Sequence, residues 1–175
     1  MNSSAKTVTR MGLMCVVLIL CSWCTLPFGI PFTLQLAGVF LSVGVLGSVQ
    51  ALGCVLVYLV LGCLGLPVFA GFSGGIGVLL GPTGGFLLGF LPLCLFCGWL
   101  YPKTKTHWGK GLVFGAGLLI DYLLGTLWYV LVFTGGQASL LPAFTVCVLP
   151  FVIPDVLKIM VSVTVLQYWK RGKLW

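Results

Sequence analysis

Apolar stretches punctuated by glycine and proline run along this chain, and between residues 11 and 102 no Asp, Glu, Lys, Arg or His interrupts them. A helix needs roughly 20 apolar residues to cross a hydrocarbon core, so this segment crosses several times. Backbone groups in lipid must be satisfied inside the segment or in a closed barrel, and the strict alternation of barrel strands is missing. The pattern predicts helices over residues 11–26, 34–47, 48–66, 82–101, 111–133 and 150–169. The second is short for a crossing, and no charge marks its joint with the third at Gly47 and Ser48. The expected fold is an all-α integral membrane protein, with residues 1–175 forming one six-helix membrane domain.

Composition supports this: 60% hydrophobic against 6% charged residues is too little charge to surface a soluble domain. The basic residues fall in three places: Lys6 and Arg10, then Lys103, Lys105 and Lys110, then Lys170, Arg171 and Lys173. Only Lys158 lies elsewhere, and segments 27–33, 67–81 and 134–141 carry no charge. Even numbers of crossings between the clusters put all three on one side, which the positive-inside rule makes the cytoplasm, termini included. The net charge of +7 thus reads as topology. Nucleic-acid binding would need an ordered basic face, and none is visible. Lys6 and Arg10 ahead of an apolar run, with a small-x-small triplet at 22–24, also resemble a secretory signal; a retained helix is the preferred reading.

Eight cysteines include two C-x-x-C pairs, Cys21 with Cys24 and Cys94 with Cys97. Cys24 is near the outer end of the first helix and Cys97 near the inner end of the fourth, so one zinc cannot collect all four. Small buried hydrophobes are the better reading. The glycine-rich run 71–89 lacks the Lys and Ser or Thr of a phosphate loop. Pro82 suits a first helical position, which would aim unpaired amides and a positive dipole at the outer surface. Gly81, Gly85 and Gly89 fall four apart, a stripe that serves close helix packing, while a ligand could approach the helix start.

Asp155 and Lys158 are the only charges between Thr134 and Trp169, and their spacing of three places them on one helix face. Ionisable groups in membrane helices usually face a partner or a wet cavity; here they either neutralise each other or meet a ligand. Pro154 has no N–H for the Pro150 carbonyl, which leaves a free acceptor beside the acid. Asp121, halfway along the fifth helix, reads as a neutral acid hydrogen-bonded to a neighbouring helix. His107 sits in the basic loop, where it is solvated.

Three motifs then resemble one family. They are Gly65-Leu66-Pro67-Val68-Phe69-Ala70 with Gly74-Gly75-Ile76-Gly77 and Gly81-Pro82-Thr83-Gly84-Gly85-Phe86; Leu149-Pro150-Phe151 with Asp155 and Lys158; and Gly125-Thr126-Leu127-Trp128. Together these resemble the BioY family, the biotin-binding S components of energy-coupling factor (ECF) transporters. The resemblance covers roughly residues 26–167 and implies capture of biotin from outside, in the cell membrane, with a transmembrane coupling protein and two ATPase subunits as partners. Biotin is then a transported ligand and no cofactor is implied. Asp155 and freed carbonyls would accept from the ureido group, and Lys158 would pair with the valerate carboxylate. Thr83, Gly84 and Gly85 would border the ligand at the helix start, and Phe72, Phe86, Tyr122 and Trp128 would cover its rings. Phe86 stands where the family usually has Tyr, Pro154 where it has Gly, and the first helix lacks the Ala-x-x-x-Ala pattern, with Cys21 and Thr25 in its place.

An enzyme is not expected, because Asp121 and Asp155 are read at different depths and His107 at the opposite surface from Asp155. The remaining alternative is a self-sufficient transporter for another small carboxylate vitamin, for which no inverted repeat is visible.

Overall fold

The computed structural model describes residues 3–28 and 30–171; Lys173, assigned above to a basic cluster, lies outside them. Eight α-helices, one short hairpin, two 3-10 turns and a π turn are formed by the described residues. In order the helices and strands are α1 (Ser3–Trp23), strands β1 (Thr25–Phe28) and β2 (Ile30–Thr33), α2 (Gln35–Leu46), α3 (Ser48–Cys63), α4 (Ile76–Leu80), α5 (Gly84–Leu100), α6 (His107–Trp128), α7 (Leu140–Cys147) and α8 (Leu149–Arg171). The antiparallel hairpin pairs Thr25 with Thr33 and is a small addition to an otherwise all-α fold. Two short helices, α4 and α7, lie in the stretches between the third and fourth and between the fifth and sixth predicted helices.

Among the described residues, four helices are long and apolar enough to cross a membrane: Ala5–Trp23, Gly84–Lys103, His107–Phe133 and Leu149–Lys170. α2 and α3 are shorter, with 12 and 16 residues. The break between them is set by Gly47, whose φ of 81° lies in the left-handed region that side chains disfavour. α5 starts at Gly84, so Pro82 belongs to the preceding turn and not to the first helical position. α6 starts on Thr106, whose side chain accepts from the Gly109 N–H at 3.2 Å, a helix cap that lies outside the predicted bound of 111. Its far end widens into a π turn over Tyr129–Phe133.

The helices are apolar outside and mixed inside, the reverse of a soluble bundle. On α6, Leu112, Leu119 and Leu123 are exposed while Asp121, Tyr122 and Thr126 are buried. Such an arrangement suits a lipid surround, because lipid accepts leucine at no cost whereas an unpaired polar group there costs several kcal/mol. Aromatic stacking fills the core towards the basic end, where Phe114 lies between Phe40 (4.4 Å) and Tyr101 (4.9 Å). The Lys110 and Lys170 ammoniums each sit 5.3 Å from the Tyr101 ring, so the start of α6 and the end of α8 meet at one end of the bundle.

Candidate functional site

A cavity of about 550 Å³ lies at the other end, among the starts of α2, α5 and α8 and the far half of α6. That is within the usual size range of small-ligand pockets. Asp155 and Lys158 line it, and both of the chain's acids do. Asp121 and Asp155, expected at different depths, thus border the same cavity, to which the packing of α6 against α8 brings them.

The polar centre is a three-residue group. Lys158 Nζ donates to Asp155 Oδ1 at 2.6 Å, and Tyr122 Oη donates to Asp155 Oδ2 at 2.6 Å. The intrahelical ion pair is thus formed, and its members still line the cavity. Each carboxylate oxygen keeps acceptor capacity, and the ammonium keeps two N–H donors. At 4% and 9% exposure the pair is withdrawn from bulk solvent, and its free hydrogen-bonding capacity is directed to the cavity.

Pro154 lies inside α8 and offers no N–H to Pro150, as its position requires. Phe151 and Asp155 of this turn reach the cavity, whereas Pro150 does not.

Asp121 departs from its expected role. Its side chain makes no hydrogen bond to a neighbouring helix among the described residues; Oδ1 is buried without a partner, against Gly89 of α5. A Cβ on Gly89 would stand 2.3 Å from that oxygen, so the acid occupies the space the glycine leaves.

Of the other predicted contacts, Thr83, Phe86 and Tyr122 line the cavity. Gly84, Gly85, Phe72 and Trp128 do not. Gly85 carries the backbone approach of α5 to α6: a Cβ there would lie 2.2 Å from Trp128 Cβ and 3.0 Å from Gly125 Cα. Gly84 is closed off by the Leu79 carbonyl, 1.7 Å from such a Cβ. Trp128 donates from Nε1 to the Gly81 carbonyl at 3.2 Å and fastens the turn ahead of α5. Its ring borders a separate apolar groove between α5 and α6. Phe72 is exposed and stacks on Trp23 at 4.9 Å, and Trp23 in turn donates to the Pro67 carbonyl at 2.7 Å. Gly85 and Gly89 thus serve the packing of α5 on α6, Gly81 belongs to the turn before α5, and Thr83 and Phe86 border the cavity.

Several lining residues had no assigned role in the sequence reading: Thr33, Gln35, Phe69, Tyr129 and Phe151 among them. Gln35 had a visible signal, as a lone amide opening the apolar helix α2. Tyr129 had none, because the π turn that carries it shifts the helical register.

A bundle of membrane-length apolar helices that gathers its two acids and one lysine around an internal cavity defines a multi-pass membrane protein with a buried polar site. The chain belongs to the BioY family, whose model matches residues 1–173. It is 38% identical over 168 residues to the biotin transporter BioY of Thermotoga maritima, covering 95% of this chain and 96% of that one. To a Pyrococcus horikoshii protein named "probable biotin transporter BioY" it is 41% identical over 138 residues, 79% of each chain. A crystal structure of the S-component for biotin from an ECF-type ABC transporter shares the fold, with a TM-score of 0.86 at 24% identity over 98% of this chain and 95% of that one.

Proposed function

We propose that this protein takes up biotin across the membrane, as the substrate-capture component of an ECF-type transporter. It is a transporter and not an enzyme. The observation that carries the reading is the Tyr122–Asp155–Lys158 group on the wall of the cavity of a BioY family chain. A ureido ring presents N–H donors beside a carbonyl acceptor. Asp155 and Lys158, bonded to each other at 2.6 Å, present an acceptor beside a donor, and the two edges are complementary.

The ion pair also changes the assignment of Lys158. A ligand carboxylate on this ammonium would come up against the Asp155 carboxylate, with one cation between two anions. We assign the ureido edge to Asp155 and Lys158 and the valerate carboxylate to the start of α5, where Thr83 lines the cavity and the helix dipole is positive. Phe86 supplies a face for the thioether ring. Gly84, Gly85 and Trp128 set the position of the α5 start from behind, and Phe72 braces the 67–73 segment against α1.

Titration of the detergent-purified protein with biotin and with biotin amide tests both levels. Biotin should bind the wild type, and absence of binding rejects the function. Lys158→Ala should weaken acid and amide by the same factor, about thirtyfold or more for a buried charge that loses its partner. A loss confined to the acid would return Lys158 to the carboxylate.

The rest of the reading is a single membrane domain over residues 1–175 with six crossings in the plasma membrane, partnered by a transmembrane coupling protein and two ATPase subunits. Lys170 lies 15 residues beyond Asp155 on α8, roughly 22 Å along the helix, which supports basic residues on one side and ligand capture on the other. With both termini and the 102–110 loop cytoplasmic, alkaline phosphatase fused after Lys105 should be inactive. An active fusion would invert the orientation.

A further inference from the structure

A chain of hydrogen bonds leads from the cavity wall into the core, away from the Asp155 group. Gln35 Nε2 lies 2.7 Å from Tyr58 Oη, Tyr58 Oη lies 2.9 Å from Ser22 Oγ, and Ser22 Oγ donates to the Leu18 carbonyl at 2.9 Å. Its direction can be worked out atom by atom. A serine hydroxyl has one proton, and that of Ser22 is committed to Leu18, so Ser22 can only accept from Tyr58. Tyr58 has then given its own proton away and can only accept from Gln35. The amide of Gln35 must therefore turn its NH₂ to Tyr58, because the opposite orientation would set two oxygens against each other without a proton between them. Ser22 and Tyr58 are fully buried, so no water relaxes this logic. Gln35 lines the cavity, and its Oε1 is the end left without a bond to the described residues.

We infer that Gln35 is a further ligand-contact residue, held as a hydrogen-bond acceptor by Tyr58 and Ser22, which act as positioning residues. Its Oε1 takes the second ureido N–H, the one that the Asp155–Lys158 edge leaves over. This inference rests on the biotin reading above. It also explains a polar chain in a region that otherwise packs apolar side chains, such as Phe69 edge-on to Tyr58 at 5.3 Å.

The consequence is an inverted order of effects. In Ser22→Ala the Tyr58 proton loses its acceptor and turns to Gln35, which flips and shows its NH₂ to the ligand. In Tyr58→Phe nothing directs the amide, and the ligand can draw the oxygen round. The deletion farther from the cavity should thus do more harm. Biotin affinity should fall about tenfold or more in Ser22→Ala, the order expected when a buried donor is left unmatched, and less in Tyr58→Phe. The double variant should bind more tightly than Ser22→Ala alone.

Gln35→Met, which keeps the volume of the side chain, gives an independent reading. It should weaken biotin about tenfold while leaving unchanged the affinity for one of the two analogues singly methylated on a ureido nitrogen. Titration calorimetry on detergent-purified proteins, with thermal unfolding to confirm folding, measures all of these. A Tyr58→Phe loss equal to or greater than that of Ser22→Ala, or equal losses for biotin and both methylated analogues in Gln35→Met, overturns the inference while leaving biotin binding intact. A wild type that binds no biotin removes the functional reading and this inference together.

Discussion

Asp155→Asn should weaken biotin and biotin amide alike, by about thirtyfold or more, because the carboxylate holds the group together before any ligand arrives. Each of its oxygens already carries a bond, from Lys158 at 2.6 Å and from Tyr122 at 2.6 Å. An amide offers one acceptor oxygen and turns an NH₂ towards one of these two donors. Lys158 is then a buried cation without its counter-charge, a loss that typically costs about 2–5 kcal/mol. Two effects are folded into that figure, destabilisation and lost ligand contact, and a second substitution separates them. In Asp155→Asn combined with Lys158→Met the stranded charge is gone, so thermal stability in detergent should return towards the wild type while biotin affinity does not. Recovery of affinity along with stability would make the pair a structural feature with no part in binding.

Gly85→Leu should abolish biotin uptake by a different route, through the packing of α5 on α6. The positions that a Cβ would meet are Trp128 Cβ and Gly125 Cα, at 2.2 and 3.0 Å, and neither belongs to the movable end of a side chain. The helices must separate, and overpacking of this kind costs typically about 1–3 kcal/mol and sometimes more. Displacing α5 also displaces Thr83 and Phe86 from the cavity wall, so binding suffers even in molecules that still fold. Gly115→Leu is the matched control. It places the same side chain on α6 where nothing lies within 4 Å, and uptake should be retained. Equal uptake by the two variants would show that close approach at Gly85 does not matter.

What could be read from the sequence follows the reach of helical periodicity. Spacing within one helix is a fixed geometry, so the three-residue offset of Asp155 and Lys158 correctly joined them. Rotation of one helix against another is set by packing, and the encounter of Asp121 with the same cavity could not be read from positions 34 residues apart. The glycine run was legible as special, yet its two possible uses differ only in which way each Cα faces. Gly85 and Gly89 face α6, while Thr83 and Phe86 face the cavity. The hairpin β1–β2 is not legible in the sequence because its strands have four residues each and are interrupted by Pro27 and Pro31. Gln35 stands out in the sequence as one amide at the head of an apolar helix, but its orientation depends on Tyr58 and Ser22, from two other helices.

The placement of Asp155 and Lys158 on a single helix bears on biogenesis. A lone charge at the centre of a membrane helix costs about 2.5–3.5 kcal/mol on insertion scales. These two can cancel within α8 as soon as its first turns form, before any other helix has been met, so the segment reaches the bilayer as a nearly neutral unit. Asp121 has no such companion on α6. Its helix carries an unmatched polar group into the lipid, and closure of α5 over it at Gly89 takes that group out of contact with lipid without giving it a hydrogen bond, so the cost of Asp121 persists in the folded protein.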